Sequence, residues 1–186
     1  MRRILILLVL LMVVVNLLGC AGRPIEPFVD TTQYTQGRDV ALGPFAYSVA
    51  KAGNVQKNQI ENTGAFPIHL EKNIADLVRE VTAIELSKTG LRLDSQADTL
   101  IYGDVTRFKI NEGFSTDWSY DITYSIARKS TSSKLLSRQY TLSTTTSLPR
   151  SKEALAMCLR NVIAQGYSMF ITDPYVRAIL DASPDH

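Results

Sequence analysis

The sequence predicts an α+β fold. The expected form is a two-layer sandwich, a mainly antiparallel meander sheet with amphipathic helices on one face, in the order β-α-β-β-β-α-α. Two kinds of pattern lead there. Trp118, Tyr120, Ile122, Tyr124 and Ile126 alternate with Ser119, Asp121, Thr123 and Ser125, as a strand with one buried and one wet face does. Leu70, Ile74, Leu77, Val81 and Ile84 recur at spacings of 4, 3, 4 and 3. Leu155, Leu159, Val162, Gly166 and Met169 repeat that rhythm, so each set forms one stripe of a helix. Two such helices and a sheet with one polar face bury their apolar surfaces most simply by stacking.

The elements follow in order. Val40 to Phe45 is a short apolar run stopped by Gly43-Pro44 and reads as the first strand. Residues 51–66 are polar and turn-rich and read as a long irregular loop. The first helix is expected from about Pro67 to Lys88, with Thr89-Gly90 as its stop. Residues 99–110 form a second strand whose alternation slips near Gly103, marking a bulge or a close backbone approach. Residues 111–117 supply a hairpin loop into the Trp118–Ile126 strand. After a loop at 128–134, Leu136, Tyr140, Leu142 and Thr144 share one side of a fourth strand, with Arg138 the odd member. The second helix is expected over about 151–170, with Ser151 as N-cap and Glu153 in the first turn. Asp173-Pro174 then reads as the N-cap and first residue of a short last helix, docked by Val176, Ile179 and Leu180. If the first strand joins the second in parallel, the crossover should be right-handed.

The amino terminus has another logic. Arg2-Arg3 precede an unbroken apolar run from Ile4 to Val15, then Asn16 and Leu17-Leu18-Gly19-Cys20. A cationic start, an apolar stretch of this length and small residues near a cut site make a secretory signal, with an uncleaved anchor as the alternative. Leu17-Leu18-Gly19-Cys20 resembles the lipobox of bacterial lipoproteins, although Ala or Ser is commoner at the Leu18 position. That resemblance implies cleavage between Gly19 and Cys20, a diacylglyceryl thioether on Cys20 and acylation of the new amino group. Two or more acyl chains give stable anchoring. Residue 21 is Ala and not Asp, which in the sorting rule for such lipoproteins favours the outer membrane. The expected organisation is a signal at 1–19, a lipidated Cys and tether at 20–39, and one periplasmic domain at 40–186. Fully extended, the tether would reach about 60 Å.

Charge and chemistry narrow the function. The chain carries 20 basic and 18 acidic side chains, and its first 19 residues hold two of the bases and no acid. The remainder is charge-balanced, which argues against a nucleic-acid partner. There are two histidines, His69 and His186, and two cysteines, Cys20 and Cys158. No metal site is expected from so few ligands, nor any cofactor, since there is no phosphate-cradling glycine loop. No G-x-S-x-G elbow accompanies His69. With Cys20 lipidated, Cys158 has no intrachain partner; it reads as a small buried hydrophobe, against a redox thiol. No catalytic residue is expected.

Phe114 and Trp118 flank the hairpin loop and are the candidate partner contacts. The other reading buries Trp118 in its strand and folds Phe114 back on it. The Ser/Thr-rich stretch 141–147 is an exposed strand that could offer a sheet edge. The segments ADTLIYGDVTRFKI, WSYDITYSIARK, LLSRQYTLSTTT and FITDPYVRAIL resemble, in element order, the YajG-like periplasmic lipoproteins and the auxiliary lipoproteins of ABC-type lipid transport systems. The resemblance implies a non-enzymatic adaptor bound to an envelope protein, such as an accessory subunit of a lipid transport or envelope assembly complex. The alternative is a small periplasmic hydrolase acting on cell-wall or lipid substrates.

Overall fold

The computed structural model describes residues 38–62, 64, 67–149 and 151–182. The predicted signal, Gly19, Cys20, the tether up to residue 37 and His186 lie outside the described residues. Those described form an α+β fold with four helices on one mixed sheet of seven strands. The order is β1 (Asp39–Tyr47), α1 (Ser48–Lys51), β2 (Gln59–Asn62), β3 (Ile68–His69), α2 (Ile74–Lys88), β4 (Arg92–Leu93), β5 (Thr99–Glu112), β6 (Ser115–Arg128), β7 (Lys134–Ser147), α3 (Lys152–Thr172) and α4 (Pro174–Asp181).

The expected antiparallel meander is only part of the sheet. β5, β6 and β7 pair antiparallel along nearly their whole lengths. β1 and β2, however, join β5 in parallel, β4 joins β1 in parallel, and β3 pairs antiparallel with β2. β6 occupies one edge of β5 throughout, so β1 and β2 lie end to end along the other. β1 takes residues 100–105 of β5 and β2 takes 109–110. The intervening α1 and turn leave the sheet where β5 carries its own irregularity, between Val105 and Arg107. That bulge changes the buried parity from Ile101, Gly103 and Val105 to Phe108 and Ile110.

Two glycines permit the β1–β5 contact. A side chain at Gly103 would collide with the Phe45 ring, and one at Gly43 with the Tyr102 ring. The slip read near Gly103 is therefore a close approach at that residue, with the bulge three positions later. Gly43-Pro44 does not stop the first strand; it sits in a register shift, and pairing resumes at Phe45.

The core lies between the sheet and both long helices. All five alternating residues from Trp118 to Ile126 are buried, as expected. Tyr124 links the layers: its hydroxyl shares a 3.1 Å hydrogen bond with Thr82 of α2, and its ring stacks on Phe170 of α3 at 4.5 Å. Gly166 of α3 lets that helix settle on Tyr120.

Several expected boundaries move. The loop at 51–66 contains β2, whose Ile60 is fully buried. The first helix starts at Ile74, because the segment before it bonds elsewhere. Leu70 N–H donates to the Asn58 carbonyl and Ile74 N–H to that of Lys57, holding Ile68–His69 extended on β2. Ile84 and Met169, assigned to the buried stripes, are exposed over about two fifths of their surface; Val78, Thr82, Ile163 and Phe170 are buried instead. Ser151 caps α3 through Ala154 N–H, and Asp173 caps α4 through Tyr175 N–H, both as predicted. Gly90, at φ +82°, ends the α2 region in the left-handed conformation that glycine tolerates.

Candidate functional site

The hairpin end of the sheet presents Phe114, the most exposed large apolar side chain among the described residues. The β5–β6 loop, expected to be seven residues long, is reduced to Gly113 and Phe114, because pairing continues to Glu112 and Thr116. Phe114 does not fold back on Trp118; it is fully exposed at the tip. Trp118 is 1% exposed, and its Nε1–H donates to Thr146 Oγ1 at 2.9 Å, tying β6 to β7. The two residues therefore separate into a buried lock and a presented ring.

Beside the tip lies an open groove of about 420 Å³. Ile68 of β3, Ile110 of β5, Pro149 and Leu155 of α3 supply its apolar lining, and Glu112, Thr116, Ser151 and Lys152 its polar lining. Thr116 is 1% exposed, and its Oγ1 has no hydrogen-bond partner among the described residues. The first turn of α3 is satisfied internally: Ser151 accepts from Ala154 N–H, and the Glu153 carboxyl is held low by its own N–H and by the Ser151 hydroxyl. Thr116 was read as hairpin loop. Extending the Trp118–Ile126 alternation by one step would have placed it on the buried face.

The opposite face of the sheet is polar. Glu61, Arg107, Lys109, Asn111, Asp117 and Ser119 surround a shallow depression of about 490 Å³. Asp121, 6% exposed, sits next to it with Oδ2 3.5 Å from Arg107 Nε, while its Oδ1 is unpaired among the described residues. Acids and bases are intermixed here, so the face has no dominant charge.

At the other end, Arg138 finds its reason. Its Nη1–H donates to Asp173 Oδ2 at 2.6 Å, and its guanidinium stacks on Tyr175 at 4.5 Å. Tyr140 donates its hydroxyl to the same carboxylate oxygen at 2.8 Å. Burial alone would raise the Asp173 carboxyl. Tyr175 N–H, the Tyr140 hydroxyl and Arg138 outweigh it and hold the group below the usual carboxylate range. The cluster fastens the α3–α4 corner to β7.

The remaining candidates are scattered. Cys158 is half-buried against the core with a free thiol. His69 is exposed on β3 rather than at a helix start. Among the described residues no group of three or more His, Cys, Asp and Glu could hold a metal, and no helix is long and apolar enough to cross a membrane.

No family model matches this sequence, and neither does any curated protein. Solved structures do. A Xanthomonas campestris protein described under the family DUF330 superposes with a TM-score of 0.58 at 12% identity, over 80% of this chain and 89% of that one. PelC from Paraburkholderia phytofirmans, crystallised as a dodecamer, gives 0.42 at 18% identity, over 80% and 89%. A minor lipoprotein from Acinetobacter baumannii gives 0.39 at 12%, over 76% and 91%. The first likeness shows that this chain shares its fold with the DUF330 protein.

Proposed function

We propose that this chain is a lipid-anchored, non-enzymatic binding module of the bacterial cell envelope. Cys20 carries the anchor in the outer membrane, and the body faces the periplasm to hold an envelope protein. The observation that supports contact as its work is Phe114: a large apolar ring fully exposed on a hairpin whose other bulky side chains are buried. The tip is also remote from the point where the chain enters the sheet. The chain enters the sheet at Asp39, beside the start of β5, and β5 then runs 14 residues, about 45 Å, to the tip. β7 adds a second surface, a 14-residue strand paired on one side only among the described residues.

Photocrosslinking in cells tests this. A benzoylphenylalanine placed at position 114, or at Ser143 on the β7 edge, should form an adduct with an envelope component that a probe at Lys129, at the far end, does not. No adduct at either site, or turnover of peptidoglycan or lipid by the purified chain alone, would overturn the reading.

A further inference from the structure

The turn between β6 and β7, at the end of the sheet away from Phe114, carries charge of one sign. Between Asp121 and Glu153 the sequence has six basic residues and no acid. Three of the six, Arg128, Lys129 and Lys134, stand in this turn or at its two ends. Lys129 and Lys134 are exposed, and neither forms a salt bridge among the described residues. Leu135, an exposed apolar side chain, follows directly. The acids nearby are engaged by their own chain. Asp98 accepts from Ser130 N–H at 2.6 Å and from the Ser130 hydroxyl at 3.0 Å. Asp39 is forked by Arg92, and Asp94 accepts from Gln96 N–H. The bonds to Asp98, with that from Arg128 N–H to the Ser133 carbonyl, brace the turn that presents the bases.

Position names the occupant. The chain enters the sheet at this same end: Ala41 of β1 pairs with Leu100 of β5, and the neighbouring Thr99 pairs with Arg128 of β6. Two strand spacings, about 10 Å, separate β1 from β6. Residues 20–37 reach at most about 60 Å, so an anchor at Cys20 keeps the turn beside the lipid surface at high local concentration. Basic residues next to an apolar side chain are what an interfacial contact with anionic lipid needs. An acidic protein would answer the charge and leave the position unexplained. We propose that the β6–β7 turn docks on the anionic phospholipid surface of the membrane that holds the anchor, with Lys129 and Lys134 among the headgroups and Leu135 at their boundary with the acyl chains. The proposal rests on the reading of Cys20 as the anchor. Each base near an anionic surface strengthens binding about fivefold, so three hold the turn only weakly on their own and the anchor supplies the rest. Docking sets the strands upright and points Phe114 away from the bilayer.

The test uses the full lipidated chain with a fluorescent amino acid at position 131 or, separately, at 114. Each is reconstituted in vesicles of phosphatidylcholine alone or mixed with phosphatidylglycerol, both containing a lipid with a quencher on its headgroup. Position 131 should be quenched in the phosphatidylglycerol vesicles and much less in phosphatidylcholine, and position 114 in neither. Salt at about 1 M, where the screening length is about 3 Å, should abolish the difference. Lys129→Gln with Lys134→Gln should lower the ratio of docked to undocked chain roughly 25-fold at an unchanged melting temperature. Equal quenching at 131 in both vesicles, or quenching indifferent to salt, overturns docking led by charge. No quenching at 131 in a sample whose Cys20 carries acyl chains by mass spectrometry overturns the docking and leaves the anchor standing. A Cys20 without acyl chains overturns the anchor and the docking with it. In cells, a benzoylphenylalanine at position 131 that joins an acidic protein in place of lipid overturns the bilayer as occupant.

Discussion

Trp118 and Phe114 are four residues apart and lie at opposite extremes of exposure. Trp118→Ala should cost about 3–5 kcal/mol, the range for a buried aromatic, and lose the bond to Thr146. Chemical denaturation measures this, and loss of stability alone would confine Trp118 to a structural role. Gly166→Ala is the sharper probe of packing. An added Cβ would lie 2.6 Å from Tyr120 Cε1, on a fully buried ring. Overpacking of about 1–3 kcal/mol then exceeds the gain of about 1 kcal/mol from replacing a helical glycine, so the melting temperature should fall. At this scale the sequence was readable where a pattern ran long. Five alternating positions located the buried face of β6, but a 4-3-4-3 rhythm leaves the helix phase loose. Ile84 and Met169 were assigned to faces that Val78, Ile163 and Phe170 occupy. Thr116 was missed because the hairpin pairs further toward its tip than turn residues such as Asn111 and Gly113 suggest.

Among elements, what was illegible was short. β2, β3 and β4 have four, two and two residues, too few to show a period. They exist because β5, β2 and β1 offer ladder partners to β2, β3 and β4 in turn, and Ile60 alone anchors β2 in the core. Parallel joining of β1 was read only as a condition, and the structure satisfies it. The α3–α4 corner was legible, since Asp173-Pro174 is a local signal. Its fastening to β7 was not, since Arg138 and Tyr140 are distant in sequence. That corner yields a pH prediction. The folded Asp173 carboxyl lies below its unfolded value, so its stabilisation is present above about pH 3.9 and is lost as pH falls through the folded value. Asp173→Ala should lower stability by roughly 0.5–2 kcal/mol through loss of the cap. Asp173→Asn keeps a cap and should flatten the acid limb of a melting-temperature profile with a smaller loss at neutral pH.

For the whole molecule, the decisive expectation concerns Cys20. Cys20→Ala should leave an uncleaved, unacylated precursor and release the body from membranes after lysis. Fractionation with acyl labelling checks it, and persistent label would refute the anchor. The rest of the molecular plan follows from β1 and β5 running in parallel, with the chain entering at Asp39 at one extremity and Phe114 at the other. If Cys20 is anchored and a partner grips the tip, as proposed, a tug between them would act along these strands, loading the β1–β5 hydrogen bonds together in shear instead of peeling them apart one by one. Under that proposal, the topology that separates Asp39 from Phe114 would also suit the protein to bear tension.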